Sequence, residues 1–575
     1  MSEPCNDSSV DNLLWGHISN SSVQGDYLNY LRQLPEGKHI DEAYEASDRL
    51  NEHNISIEEK HSPSSHTAFR ALSDLAQIGD VAAQFHLAKT YQLGIFTDEN
   101  WSKAEKWYHL ASLQMDYRSR YNLSVTYVNN PDLGDVSKGI KALEELAKEE
   151  HVDAITFLAV CYIRGDGYEE NLAQGIAMLM HACELGSGKA ALDLSECFLR
   201  GIHVSLNEEE AMSWLKKSSD LGHAEANLYL GKRYRDGSGV PQCHEKAIQY
   251  LRLAAEKGDV DAQRSLGILF LDDDHDFHSS AQGIHWLKRS ALMGDAISQY
   301  NLWISFSFDR EVIHNKNAAQ RWLKSAAENG IDEAQFQIAE NIIKDAGDSD
   351  DRKSEIIYWY TQAAEQGHAS SQLRLGIRLL PRHDDNDPDY RNAYKWLRLA
   401  GIQGLHRSWA IIGDTLLNAQ DRSELDVRKA YSNIKRAADA GDSFGQQLMG
   451  SAFLWGEHID QDYTEAAYWL SQAAEQGRNE AEYLMGQMFL KGHGVQRDPM
   501  IAHDYFSRSA DSGNVDAMYI IALMCDRGEG VNADPEKAKQ MMQSAAKAGS
   551  SHAEEWLEKH DRPIKLLEEL TSTAG

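Results

Sequence analysis

Three serine–lysine pairs are the residues of this chain whose type and spacing could support covalent chemistry. In the S-x-x-K spacing a lysine lies one helical turn from a serine and can activate it for acyl transfer. The pairs are Ser213 with Lys216, Ser432 with Lys435, and Ser544 with Lys547. The companion SDN and KTG motifs of serine β-lactamases do not occur in the sequence. Since all three pairs also fit ordinary helices, we expect no catalytic residue and no enzyme activity.

Acidic loops are the second candidate for chemistry, because carboxylates bind hard cations. Such loops occur at 272–278, 345–351 and 383–389. In the last one, Asp385, Asp387 and Asp389 alternate like the start of a calcium-binding loop. An EF-hand needs glycine at its sixth position and glutamate at its twelfth, where this chain has Tyr390 and Trp396. There is also no GK[ST] phosphate loop, so we expect no metal and no cofactor.

The composition limits the classes of partner and compartment. The formal net charge of −32 disfavours nucleic acid, whose binding depends on cationic side chains, and favours a protein or peptide partner of basic character. No apolar stretch reaches about 18 residues, so no membrane insertion is expected. The polar residues 1–10 do not resemble a signal peptide, and the six cysteines are scattered without a CxxC pair. These features predict a cytoplasmic protein.

A glycine recurs at an almost constant spacing and reveals the elements that position these side chains. The gaps between successive glycines are 36 or 37 residues. The series is Gly186, Gly222, Gly258, Gly294, Gly330, Gly367, Gly404, Gly441, Gly477, Gly513 and Gly549. A fixed period of this length indicates a stacked helical repeat array, in which each unit packs against its neighbours.

Each repeat unit reads as a helix–turn–helix hairpin. In the unit 222–258, Ala226, Leu230 and Tyr234 recur at four-residue spacing, which is typical of one helix face. A second helical segment follows the loop 237–240, whose glycines permit the tight turn that ends the first helix. Glycines within the first helices predict close helix–helix approach, and Trp-Leu pairs in the second helices are expected to fill the core.

The pattern A-x3-LG-x2-Y/F-x-x-G-x-GV, followed by A-x2-WL-x2-AAE-x-G, resembles the Sel-1-like repeat family. The resemblance extends over 65–549 and implies an all-α, right-handed superhelical solenoid of about 13 hairpins. It also implies a concave groove lined by the first helices and a role as an adaptor or scaffold. Residues 1–64 are predicted to form an atypical N-terminal helical segment and linker, and 550–575 a C-terminal capping helix and tail.

The centre of the array departs from its own pattern at Trp303. This tryptophan occupies the position that carries glycine, alanine or serine in the other clear units. The indole must either displace the neighbouring helix or turn to the groove, where aromatic residues often anchor partners. With Tyr300, Phe306 and Phe308 nearby it could form such an anchor, and the alternative is a locally widened core.

The groove hypothesis assigns partner binding to first-helix side chains that the helix phase directs inward. These residues are Lys89, Glu196, Lys232, Arg235, Tyr300, Trp303, Glu340, Asp414, Trp455 and Gln487. Two other hypotheses remain open at the level of the sequence. One is a cytosolic regulator of a membrane or envelope signalling system. The other is a penicillin-interacting hydrolase, which some cysteine-rich relatives of the family suggest and which would require acylation at Ser213.

Overall fold

The computed structural model is all-helical in the part of the chain that it describes. The described residues are 7–21, 24–34, 37–52, 63–130, 132–133, 136–201, 206–272, 277–309, 315–346, 350–380, 388–419 and 422–560. The fold comprises two compact units, Met1–Ala334 and Gln335–Gly575. Helices α5 to α30 form 13 consecutive hairpins, which confirms the predicted solenoid class.

The first unit begins with four helices that precede the regular hairpins. They are α1 (Asp7–Ile18), α2 (Gln24–Gln33), α3 (Ile40–Glu52) and α4 (Pro63–Gln77). The first helices of the hairpins are α5 (Val81–Leu93), α7 (Tyr117–Asn129), α9 (Val152–Arg164), α11 (Gly188–Arg200), α13 (Ala224–Asp236), α15 (Val260–Phe270) and α17 (Ala296–Phe308). The second helices are α6 (Trp101–Ser112), α8 (Val136–Lys148), α10 (Leu172–Glu184), α12 (Glu208–Asp220), α14 (His244–Glu256), α16 (Ser280–Leu292) and α18 (Lys316–Glu328).

The remaining hairpins continue the same alternation along the chain. Their first helices are α19 (Asp332–Ala346), α21 (Ala369–Arg378), α23 (Arg407–Asn418), α25 (Ser443–Trp455), α27 (Asn479–Lys491) and α29 (Val515–Arg527). Their second helices are α20 (Asp350–Glu365), α22 (Pro388–Ile402), α24 (Glu424–Asp439), α26 (Tyr463–Glu475), α28 (Pro499–Asp511) and α30 (Pro535–Lys547). A further helix covers 551–560, in the region predicted to cap the array. The rest of the predicted capping segment and tail, 561–575, lies outside the described residues.

The turns between helices explain the recurring glycines. Gly222 and Gly258 have φ angles of 80° and 84°, a left-handed conformation in which a Cβ is costly. At two turns of the early array the sequence lacks this glycine. Met115 and Glu150 adopt the same conformation there, with φ angles of 67° and 61°. The turn geometry therefore persists even where the residue that suits it best is missing.

Glycines inside the first helices allow the two helices of a hairpin to approach closely, as predicted. A Cβ added to Gly231 would lie 2.6 Å from Cγ of Leu251, and one added to Gly267 would lie 2.7 Å from Cγ of Leu287. Four of the predicted core tryptophans, Trp286, Trp322, Trp396 and Trp469, are buried, whereas Trp214 is half-buried. The repeat core therefore consists of glycine positions on one helix and bulky side chains on the other, at the density typical of protein interiors.

The N-terminal helices pack against hairpins that are distant in sequence. At the end of α2, the Gln33 side chain donates a hydrogen bond to the carbonyl oxygen of His86 in α5, at 3.2 Å. Further along, α3 contacts α16, where the Arg289 guanidinium lies 3.3 Å from the Asp41 carboxylate. One buried apolar cluster joins side chains of α1 to α3 with Leu287 of α16 and Leu302 of α17. These helices therefore connect the start of the first unit to its sixth hairpin.

Two further observations concern the chain as a whole. No helix within the described ranges has both the length and the apolar character required to cross a bilayer. In the same ranges all cysteines are unpaired, and these are Cys161, Cys183, Cys197, Cys243 and Cys525.

Candidate functional site

Every side chain in the groove hypothesis lies on the first helix of a hairpin. We use the term first-helix face for the exposed side chains of these helices, within each unit separately. Most of the predicted residues repeat at one register, as Lys232 of α13 and Glu340 of α19 illustrate. The contacts that each side chain already makes within the chain decide which of them remain available to a partner.

Two of the predicted groove residues bind neighbouring helices. The Lys232 ammonium lies 3.6 Å from the Asp261 carboxylate of the next first helix. Glu340 accepts a hydrogen bond of 2.6 Å from the Tyr360 hydroxyl of its own hairpin and pairs with Arg374 of the next first helix at 3.2 Å. Burial, followed by the hydrogen bond to Glu340, raises the pKa of Tyr360. These residues therefore hold consecutive helices together.

Lys89 and Glu196 are also engaged inside the first unit. The Lys89 ammonium donates a hydrogen bond of 3.3 Å to the carbonyl oxygen of Gln33, so the N-terminal helices cover part of α5. Glu196 is half-buried beside the ion pair between Lys189 and Asp193, whose closest atoms are 3.0 Å apart. Burial raises the pKa of Asp193, which indicates that this cluster is a constrained part of the helix packing.

The other polar candidates contact residues of their own helix. The Arg235 guanidinium binds Asp236 at 2.7 Å, and Gln487 interacts with Tyr483. Asp414 accepts a hydrogen bond of 3.1 Å from Asn418, and burial raises the pKa of Asp414. Trp455 differs from them, since it ends α25 with 54% of its surface exposed.

Three of the four aromatic side chains considered on α17 lie close together, and the fourth, Phe306, packs against the buried cluster of the first unit. The Trp303 ring lies 5.1 Å from the Tyr300 ring and 5.7 Å from the Phe308 ring, the latter in an edge-on arrangement. Trp303 and Tyr300 are half-buried, whereas Phe308 is 66% exposed. Trp303 also packs against the large buried cluster of the first unit. The indole thus contributes to both alternatives, with one part in the core and another in an aromatic surface cluster.

Sequence reasoning missed exposed isoleucines at the same register as Lys232 and Glu340, two in the first unit and one, Ile377 of α21, in the second. Ile268 of α15 and Ile304 of α17 are 40% and 38% exposed. Ile297 and Phe308 extend this stripe along α17, because residues four or seven positions apart share a helix face. The signal was present in the 36-residue register, but an isoleucine in a helix is ordinarily interpreted as core. We call Ile268, Ile297, Tyr300, Trp303, Ile304 and Phe308 the apolar patch.

Charged side chains lie next to the apolar patch. Asp332 and Glu333, at the start of α19, are close enough for their charges to add to burial in raising the pKa of Tyr300. On the other side, Arg264 binds both Asp261 and Asp295. The combination is an exposed apolar centre with a charged border, which is the usual composition of a protein-binding surface.

The serines considered for covalent chemistry lie on the surface, and Ser432 and Lys435 line an open pocket with His406. Ser213, Ser432 and Ser544 are exposed on second helices, and Ser544 donates its hydroxyl hydrogen to the Gln540 carbonyl oxygen. No group of three or more potential metal ligands occurs among the described residues. Asp385 and Asp387 of the calcium-like loop lie outside those residues.

Comparison with known proteins agrees with the hairpin geometry. The Sel1 repeat model matches 11 segments: 81–114, 152–187, 188–223, 224–259, 260–295, 304–331, 357–368, 369–405, 443–477, 479–514 and 515–550. Together these segments cover more than half of the chain, and their starts coincide in most cases with the first helix of a hairpin. No curated protein sequence matches the chain.

One solved structure shows the same fold over most of the chain. The crystal structure of c5321, a protective antigen present in uropathogenic Escherichia coli strains, matches with a TM-score of 0.57 and 22% identity, over 85% of this chain and 97% of that one. A Sel1 repeat protein from Oxalobacter formigenes is 26% identical over 61% of this chain and 91% of its own, with a TM-score of 0.30. From the repeated segments and the hairpins that they form, the chain belongs to the Sel1 repeat family.

Proposed function

We propose that this protein is a non-enzymatic scaffold that binds a protein or peptide partner through the apolar patch on α15 and α17. The observation that carries the proposal is the exposure of Ile268 and Ile304 on two consecutive first helices, at a register where Lys232 of α13 and Glu340 of α19 are bound within the chain. Burying such side chains against a partner is favourable by about 25 cal/mol per Å² of apolar surface. Exposed apolar patches on repeat proteins commonly mark interaction sites.

The side chains of the apolar patch indicate which kind of partner segment would fit it. The aromatic cluster of Tyr300, Trp303 and Phe308 suits an apolar anchor side chain, since interface hot spots are rich in large aromatic residues. The neighbouring Asp332 and Glu333 favour a basic residue next to that anchor. An amphipathic helix or an extended segment with one apolar and one basic face has both features.

Site-specific photocrosslinking tests where the partner binds. A benzoylphenylalanine residue is placed at Ile304 and, in a matched control, at Leu253. Leu253 is a 44% exposed apolar residue on the second helix α14, away from the first-helix face. After irradiation in native cell extract, crosslinked proteins are identified by mass spectrometry, and circular dichroism verifies that both variants are helical.

We expect one protein to crosslink from position 304 and not from position 253. The proposal is then strengthened if the same protein binds the purified chain with a measurable Kd. Crosslinking that is equal from both positions, or confined to position 253, would contradict the assignment of the apolar patch. Basic residues next to the crosslinked position in the partner would support the predicted charge pairing.

A further inference from the structure

A cavity of about 350 Å³ lies where the N-terminal helices meet the sixth hairpin of the first unit. Its apolar wall contains Leu31 of α2, Ile40 and Tyr44 of α3, Ile95 of the loop after α5, and Met293 after α16. Small-molecule sites are typically concave, mostly apolar and about 300–1,000 Å³ in volume. The cavity is thus large enough for a small ligand and is lined chiefly by side chains that prefer an apolar one.

One fixed arginine supplies the polar side of this cavity. The Arg289 guanidinium lies 4.4 Å from the Tyr44 ring and 5.4 Å from the Trp286 ring, and one terminal nitrogen pairs with Asp41. These contacts hold the side chain in one orientation. Its Nε is buried and has no hydrogen-bond acceptor from the described part of the chain. A buried donor without an acceptor is unfavourable, so a ligand oxygen at this position would satisfy it.

The remaining charges at the cavity favour a negatively charged ligand group. Arg32 also lines the cavity, is exposed, and has no ion pair with any described residue. Glu256 is the single carboxylate of the lining and is likewise exposed. Asp41 neutralises Arg289 in part, but it binds a terminal nitrogen and leaves Nε available. Within the lining, two guanidinium groups accompany the single carboxylate of Glu256, and guanidinium groups bind carboxylates in well-defined geometry.

We propose that this cavity binds a small amphipathic carboxylic acid, with its carboxylate at Arg289 and Arg32 and its apolar chain against Leu31, Ile40, Ile95 and Met293. Because the walls come from α2, α3, α5 and α16, the ligand also holds the N-terminal helices on the array. The site is separate from the apolar patch and does not depend on the proposed partner.

The test uses octanoate as the probe and the full chain as the receptor. Isothermal titration calorimetry at constant ionic strength compares octanoate with octylamine and octan-1-ol, which have the same chain without the negative charge. The variants are Arg289→Gln and Arg32→Gln, and the matched control is Arg252→Gln. Arg252 is an exposed arginine on α14 that does not line the cavity.

We expect octanoate to bind the wild type and Arg252→Gln equally, and to bind both cavity variants at least about tenfold more weakly. Octylamine and octan-1-ol should bind the wild type at least about tenfold more weakly than octanoate. The variant Arg289→Gln also loses its pairing with Asp41, so Arg32→Gln, whose side chain has no ion pair with a described residue to lose, decides the result if the first variant unfolds. Absence of octanoate binding, equal binding of the amine or alcohol, or unchanged binding by folded Arg32→Gln would overturn the proposal.

Discussion

The first-helix face has two different compositions at one and the same register. In α13 and α19 the register position carries Lys232 and Glu340, and both side chains bind neighbouring helices. In α15 and α17 it carries Ile268 and Ile304, which remain exposed. The comparison shows that a polar residue at an inward register position can serve the packing of the array itself. Ile268 and Ile304 leave part of their apolar surface open at that position, which is the observation behind the proposed binding surface.

The largest expected effect concerns the tryptophan within the apolar patch. Trp303→Ala should lower the free energy of unfolding by about 2–3 kcal/mol, which is less than for a fully buried tryptophan because the ring is half-buried. Trp455→Ala, at an exposed position on α25, should change it by less than about 0.5 kcal/mol. Urea unfolding followed by circular dichroism measures both. Equal effects would show that the aromatic cluster on α17 is not part of the core.

The next effect tests whether Glu340 acts within the array. Glu340→Ala removes the acceptor of the buried Tyr360 hydroxyl and the partner of Arg374, so it should destabilise the protein by about 1–2 kcal/mol. The double variant Glu340→Ala/Tyr360→Phe should recover most of the lost free energy of unfolding. Without the Tyr360 hydroxyl, no buried donor is left without an acceptor. Partner affinity should remain unchanged in both variants. Weaker partner binding with an unchanged free energy of unfolding would show instead that Glu340 belongs to the binding surface.

A smaller effect is expected at Asp414, and it depends on pH. Burial raises the pKa of this carboxyl in the folded state, so the folded protein binds more protons than the unfolded chain just above the usual aspartate pKa. Stability therefore decreases as the pH rises through that window. Asp414→Asn should be more stable than the wild type at pH 7, and the difference should vanish below about pH 4. Thermal melts across this range would contradict the burial argument if the difference did not change with pH.

The smallest effect is expected for Lys232. The Lys232–Asp261 pair is partly exposed, and such pairs contribute at most about 1 kcal/mol. Lys232→Gln should therefore change the free energy of unfolding by no more than about 0.5 kcal/mol at physiological salt. It should leave partner binding unaffected as well. A clear loss of binding would mean that polar first-helix residues recognise the partner and would weaken the contrast with Ile268 and Ile304.

The repeat architecture was predictable because its determinants are local. A glycine in the left-handed conformation lies at most turns between hairpins, and the close approach at Gly231 requires a residue without a side chain. The role of Glu340 was not predictable, because its hydrogen bond to Tyr360 depends on the rotation of one helix against another. The exposure of Ile304 was not predictable from residue type, since apolar helix residues are mostly buried.

The N-terminal helices show that contacts between residues distant in sequence were not predictable either. The sequence predicted an atypical helical segment within residues 1–64, and α2 and α3 lie in that region. The pairing of Asp41 with Arg289 depends on how successive hairpins bring α16 back to the start of the chain. No spacing pattern in the sequence predicts that arrangement of helices. The cavity where the N-terminal helices contact α16 was therefore not predicted.

The most direct test of the central claim is the affinity of the crosslinked partner for patch variants. Purified partner is titrated against the wild type, the double variant Ile268→Asp/Ile304→Asp, the control Leu253→Asp and the charge variant Lys232→Glu/Arg235→Glu, each verified as folded. We predict that the double isoleucine variant binds more weakly by at least about 2 kcal/mol, while Leu253→Asp binds like the wild type. Wild-type affinity of the double isoleucine variant, or a loss confined to the charge variant, would contradict the assignment of the apolar patch as the binding surface.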